Sequence, residues 1–239
     1  MLRLDSVRAS YDDKRVLEDI SFAIAPDEFV VLVGANGSGK TTILDLICGL
    51  HSPDAGEIRL DGTDIIAEQE VARTTIARVF EEPRDQLLGS TVGTDVAFGP
   101  ENLGCSRTEI TKRVETALDS VGLTHKHEHS VDALSGGERA RVALAGAFAM
   151  EPEYLALDEP MTGLDFPGRN AVVDSLATIN ETGCGIILAT HDLRDLRPLI
   201  DRVIGIADGE IWFSGPPTAI VDRLPSIGVR IPSEWQHEV

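Results

Sequence analysis

Short apolar runs alternate with amphipathic stretches along this chain. Phe29-Val30-Val31-Leu32-Val33 is uninterrupted by polar residues and reads as a strand buried on both faces. A Gly-rich turn follows it, and then a helical pattern over Thr42-Ile43-Leu44-Asp45-Leu46-Ile47. Ahead of it, Leu2–Val7 and Leu17–Ile24 read as two further strands, and Gly56–Gly62 as a short strand closed by an Asp-Gly turn. From about Pro83 to Met150 the strand signal fades, and helical periodicity appears over Thr108–Val121 and Glu138–Met150. Strand character returns at Tyr154–Leu157 and Gly185–Thr190. A hairpin follows, Val203–Ala207 and Glu210–Ser214, around Asp208-Gly209. Alternating strands and helices place the chain in the α/β class. The pattern predicts a single domain: a core formed by about 1–82 and 151–217, a mostly helical insertion at about 83–150, and a short tail, 218–239. No internal repeat, low-complexity tract or heptad run interrupts this organisation.

Composition adds one unusual fact. The 239 residues are 42% hydrophobic, enough for a substantial core. Forty acidic residues oppose 21 basic ones, for a formal charge of -19, and only four of the bases are lysines. Such a field disfavours nonspecific contact with nucleic acid or an anionic membrane face, so nucleic acid is not an expected partner. An acid-rich, lysine-poor surface also suits a salt-accumulating cell, in which self-repulsion is screened; an acidic protein of ordinary cells is the alternative. Cys48, Cys105 and Cys184 lie far apart without metal-ligand spacing, so buried free thiols in a reducing compartment are expected. No apolar run approaches the ~20 residues of a membrane helix, and the N-terminus lacks the shape of a signal peptide. A cytoplasmic chain is the expectation.

The turn after Phe29–Val33 carries the first chemistry. Gly34-Ala35-Asn36-Gly37-Ser38-Gly39-Lys40-Thr41 fits G-x-x-x-x-G-K-[ST] in the strand–loop–helix context that pattern requires. Its glycines let backbone N–H groups wrap an anion, and the helix N-terminus adds partial positive charge. Lys40 can reach terminal phosphates, and the Thr41 hydroxyl can hold Mg²⁺. A second candidate closes the strand at Tyr154–Leu157, where Asp158 and Glu159 follow the last apolar residue. Ligands of parallel sheets bind at strand carboxyl ends. There Asp158 is placed to hold Mg²⁺ through water, and Glu159 to polarise an attacking water. A third candidate is Leu134-Ser135-Gly136-Gly137-Glu138. Ser135 and Glu138 have capping-box spacing, so the segment is either a plain helix start or a second anion site built on a helix N-terminus.

These three segments, in this order and at these separations, resemble the nucleotide-binding domain of ABC transporters over about Met1–Pro217. The resemblance implies a P-loop NTPase fold: a RecA-like core, an inserted helical subdomain and an N-terminal antiparallel β region. It implies an ATP hydrolase that uses ATP and Mg²⁺, with the phosphates on Asn36, Gly37, Ser38, Gly39, Lys40, Thr41 and Thr42. Ser135, Gly136 and Gly137 match the loop that closes over ATP held by a second ATPase subunit, so a head-to-tail dimer, of like or unlike copies, is implied. Tyr11 matches the aromatic that stacks on adenine. His191 matches the histidine that contacts the γ-phosphate, and Met161–Asp165 matches the loop that links the two sites, with Asp165 at ATP. Glu81 departs from the pattern: it stands where the family usually has a glutamine that reaches Mg²⁺ and positions water. A glutamate keeps the oxygen and adds charge, which implies a catalytic and metal-side residue in a slower enzyme.

The segments Asp85-Gln86-Leu87-Leu88 and Thr91–Gly104 look like those of the energy-coupling-factor branch, which imports vitamins, cobalt or nickel. Arg139–Met150 is similar to the same branch. That resemblance implies a transmembrane coupling subunit and a small substrate-capture membrane protein as partners, and a peripheral position on the cytoplasmic membrane face. Glu81, Glu82, Asp85 and Asp95 are candidate partners for arginines of the coupling subunit. The remaining alternatives are an importer of another branch and a non-transport ABC ATPase. The 22 residues 218–239 are too short for the regulatory domain that sugar importers usually add, and no zinc hook or coiled coil of the non-transport class is evident.

Overall fold

The computed structural model describes residues 1–11 and 14–238, with side chains described to Trp235. The elements run in order β1 (Leu2–Tyr11), β2 (Lys14–Ile24), β3 (Phe29–Val33), α1 (Lys40–Ile47), β4 (Ala55–Leu60), β5 (Thr63–Asp64), α2 (Gln69–Thr75) and β6 (Ile76–Val79). Next come α3 (Val92–Asn102), α4 (Arg107–Ser120), α5 (Gly136–Phe148), β7 (Tyr154–Asp158), α6 (Phe166–Glu181), β8 (Gly185–Thr190), β9 (Arg202–Ala207), β10 (Glu210–Gly215) and α7 (Pro217–Ile220). The six-stranded sheet has the order β10-β9-β3-β8-β7-β6, parallel from β9 to β6 with β10 antiparallel at the edge. A second, antiparallel sheet has the order β2-β1-β4-β5. The α/β reading and the N-terminal antiparallel region agree with this architecture.

Strand periodicity explains how the layers close. On β3, Phe29, Val31 and Val33 join one buried cluster with side chains of α3–α6, while Val30 and Leu32 join another with α1 and the antiparallel sheet. Tyr154/Ala156 and Leu155/Leu157 of β7 divide in the same way. Such two-faced burial is why these strands read as unbroken apolar runs. Both Asp-Gly pairs, Asp61-Gly62 and Asp208-Gly209, have positive φ at both residues, the I′ geometry that suits tight hairpins. Among the described residues no helix is long and apolar enough to cross a membrane.

Several elements escaped the hydrophobic pattern, among them α6, β5 and α7 as well as β6, α2 and α3. β6 is four residues long and contains Arg78, α2 buries only Ala72, and α3 contains two glycines and Pro100. α3 is held at its start by a Thr91–Thr94 capping box rather than by strong periodicity. Two of the cysteines, Cys48 and Cys184, are buried as expected, and burial pushes each thiol up to about 12. Cys105 is only half-buried, which corrects the expectation that all three lie inside.

Candidate functional site

Parallel pairing brings the carboxyl ends of β3, β8 and β7 to one edge of the large sheet. The three ends carry Gly34–Thr41, Thr190-His191 and Asp158-Glu159 respectively. The loop after β3 winds through Gly37 and Gly39, at φ 81° and 107°, a left-handed backbone that a side chain would strain. Inside it the Lys40 ammonium donates to the carbonyls of Gly34 (2.9 Å) and Ala35 (3.2 Å). Burial pushes the Lys40 pKa down, against the opposing pull of Glu159, Asp158 and Glu81. Ser38 Oγ is buried with no hydrogen-bond partner among the described residues. The Lys40 ammonium and the orphaned Ser38 hydroxyl are donors that phosphate oxygens can satisfy, in a loop whose backbone N–H groups can wrap an anion, so the residues fit a nucleotide. Thr41 is exposed beside them and Thr42 is buried.

A cleft of about 610 Å³ continues from this loop. It is lined by Ala35–Ser38, by Lys14–Val16 of β2, by the Asp208-Gly209 turn and by Ser226–Gly228 of the tail. Tyr11 does not line it. Its ring stacks on His51 at 4.7 Å between centroids and 19° between planes, an aromatic pairing the sequence did not signal.

At the end of β7, Glu159 is buried at φ 44°, an unusual backbone for a non-glycine residue. Thr190 Oγ1 donates to its Oε2 (2.9 Å), and His191 Nδ1 lies 2.8 Å from its Oε1. The carboxylate is therefore fixed from two sides, with the exposed His191 ring on the open side. Asp158 accepts from the Arg78 guanidinium at 2.9 Å and makes no other side-chain hydrogen bond among the described residues. Glu81 is exposed, two residues beyond β6, and its charge reaches Lys40. Thr41, Asp158 and Glu81 thus offer the oxygen-only donor set that Mg²⁺ takes. Behind His191, buried Arg169 of α6 binds Asp195 (2.9 Å) and Asp192 (3.2 Å) and ties that loop down.

Ser135-Gly136-Gly137 lies in a different cleft, facing Gly163–Asp165 and sharing no lining residue with the first. Ser135 caps α5 in a reciprocal box with Glu138, at 3.3 and 2.8 Å. Lys126 pairs with the same glutamate at 2.6 Å and holds its carboxyl down at about 2. Gly137 lies against α6: a Cβ there would stand 2.8 Å from Gly168 Cα. Asp165 caps α6 by accepting from Gly168 N (2.9 Å). So the structure places Ser135, Gly136, Gly137 and Asp165 together, but not with the Lys40 loop of the same chain.

Of the acids proposed for a partner's arginines, Glu81, Glu82 and Asp85 are exposed. Asp95 is not available: it is buried and accepts from Leu88 N (2.7 Å) and Gly89 N (2.8 Å), folding the loop before α3. That expectation is corrected, because the carboxylate is spent on backbone donors. Arg78, Asp45, Thr190 and Arg169 were missed as site residues, and Arg78 alone left a signal, a lone base within an apolar stretch.

Comparison with known proteins follows the same lines. The ABC transporter family profile matches residues 17–162. A provisionally named ABC transporter ATP-binding protein of Halobacterium salinarum is 47% identical over 97% of this chain and 100% of its own length. The cobalt import ATP-binding protein CbiO of Syntrophus aciditrophicus is 37% identical, covering 98% of this chain and 85% of its own. The energy-coupling factor transporter ATP-binding protein EcfA2 of Clostridium perfringens is 40% identical over 92% of this chain and 80% of its own. Among solved structures, CbiO1 of Clostridium perfringens, part of the ABC transporter complex CbiONQ, superposes with a TM-score of 0.84 at 33% identity. It covers 95% of this chain and 96% of that one.

Proposed function

Because the chain belongs to the ABC transporter family of ATP-hydrolysing subunits, we propose that it is the ATPase of an energy-coupling-factor type importer. In this reading it powers uptake of cobalt, nickel or a vitamin such as biotin. The observation that carries the catalytic part is Glu159, clamped by Thr190 and His191 at the same sheet edge as Lys40. Its carboxylate is the general base toward the attacking water, and His191 stands beside it as the group facing the γ-phosphate. Asn36–Thr42 receive the phosphates, and Lys40 exchanges two carbonyls for phosphate oxygens. Tyr11 takes adenine on its face away from His51. Thr41, Asp158 and Glu81 would hold Mg²⁺, whose chemistry is to neutralise phosphate charge during transfer.

The separate cleft at Ser135–Gly137 and Asp165 supports a head-to-tail pair, since one chain alone does not join it to the Lys40 loop. The names of CbiO and EcfA2 and the likeness to CbiO1 support the branch, and with it a membrane-embedded coupling subunit, a capture subunit and a peripheral position on the cytoplasmic membrane face. Exposed Glu81, Glu82 and Asp85 suit a basic contact on that coupling subunit. Uptake of cobalt, nickel, biotin, thiamine and riboflavin by cells with and without the gene, in high-salt medium, tests the reading. Loss of one substrate marks a dedicated importer and loss of several a shared module. Unchanged uptake of all five overturns the branch assignment.

A further inference from the structure

Arg78 is a charged residue in a strand that otherwise presents Ile76, Ala77 and Val79, and its side chain is 6% exposed. Nη2 reaches Asp158 Oδ2 at 2.9 Å and Asp45 Oδ1 of α1 at 3.3 Å. Nη1 donates to Val79 O at 3.0 Å, and the guanidinium lies 5.0 Å from the Phe80 ring centre. Nε is buried without a hydrogen-bond partner among the described residues. A buried N–H left without an acceptor is costly, so the two carboxylates and the ring, rather than full hydrogen bonding, fix this orientation. The neighbourhood is crowded with acid: Asp158, Glu159 and Glu81 all act on Lys40, and Asp45 and Asp158 act on one another.

We propose that Arg78 is an internal counter-cation. It occupies one oxygen of Asp158, tethers that carboxylate to α1 through Asp45, and by its charge weakens binding of the divalent metal, with Asp45 setting by how much. It is a positioning residue, since it touches neither substrate nor metal but acts through Asp158. The inference rests on the assignment of Asp158 to the metal.

The test is Mn²⁺ binding, read by electron paramagnetic resonance, to the full chain with a non-hydrolysable ATP analogue at fixed ionic strength. Arg78→Met removes a positive charge and should tighten Mn²⁺ by about tenfold, the size expected for one charge several ångströms away in a partly solvated site. Asp45→Asn leaves Arg78 to Asp158 alone and should loosen Mn²⁺ several-fold. Arg78→Lys keeps the charge and should bind as the parent does. If Arg78 served only to orient Asp158, Arg78→Met and Asp45→Asn would both bind more loosely; that result, or no change in either, overturns the proposal. Should Arg78→Met fail to fold, Arg78→Gln takes its place, keeping hydrogen-bond donors without the charge; it should also tighten Mn²⁺, and looser or unchanged binding overturns the proposal. Asp158→Asn separates the two levels. If it leaves Mn²⁺ affinity intact, the metal assignment falls and this inference with it. If it abolishes binding while the other variants behave like the parent, only the counter-cation falls.

Discussion

Replacing Lys126 by methionine removes a cation that pins the start of α5 while keeping most of the side chain's apolar length. In the parent, Lys126 Nζ sits 2.6 Å from Glu138 Oε1, with about a fifth of each side chain exposed. Lys126 is the largest of the influences that hold the Glu138 carboxyl at about 2 instead of 4.5, followed by the Ser135 N–H. A displacement of that size corresponds to at most about 3 kcal/mol. Solvent screening of a pair this close to the surface reduces the realistic loss to about 1 kcal/mol. In a chain of this length that lowers Tm by about 2–4 °C. The sign with pH is fixed by linkage. A carboxyl held below its unfolded value stabilises fully above about pH 4.5, and the contribution disappears as pH falls through about 2. The gap between parent and Lys126→Met, measured by differential scanning fluorimetry at low salt, should therefore be complete at pH 7. It should shrink to about half or less by pH 3 and narrow in molar KCl at pH 7. Equal melting at pH 7, or a gap that stays constant to pH 3, would show that the pair contributes nothing and that Glu138 is held down by something else.

Glu159→Gln should keep ATP binding and lower steady-state hydrolysis by at least ~100-fold, the range expected for losing a general base; retained turnover would remove Glu159 from that role. Glu81→Gln should raise the hydrolysis rate and shift its Mg²⁺ dependence, because one negative charge leaves the metal side; if both are unchanged, the acid at 81 is inconsequential. Gly137→Ala drives a Cβ to 2.8 Å from Gly168 Cα and should cost about 1–3 kcal/mol in a urea melt. With a formal charge of -19, Tm should rise between low and molar KCl as self-repulsion is screened, and a flat or falling Tm argues against a salt-adapted chain. In the native state a thiol reagent should modify Cys105 quickly and reach buried Cys48 and Cys184 only on unfolding.

The layers of this fold are legible where a strand is buried on both faces, because β3, β7 and β8 then show unbroken apolar runs. The Gly34–Thr41 loop and the Ser135–Glu138 box are legible for another reason: their backbone geometry demands particular residues at particular spacings. α3 is illegible because its capping and its contacts with α4 and α5, rather than its periodicity, hold it. Asp95 misled for a related reason. A carboxylate in an acidic chain looks like a solvated or partner-facing charge, and only the folded loop reveals two backbone donors waiting for it. The Arg78–Asp45–Asp158 contact spans residues 33 and 80 positions apart and depends on strand pairing for its existence, so no local pattern announces it.

The meeting of Gly137 and Gly168 has a mechanical consequence. Neither residue has a side chain to interlock, so the start of α5 and the start of α6 touch backbone to backbone. Such a contact is stiff against compression, since no rotamer can yield. A push delivered along α5 at this point meets α6 directly, the helix that carries the Arg169 tether behind His191.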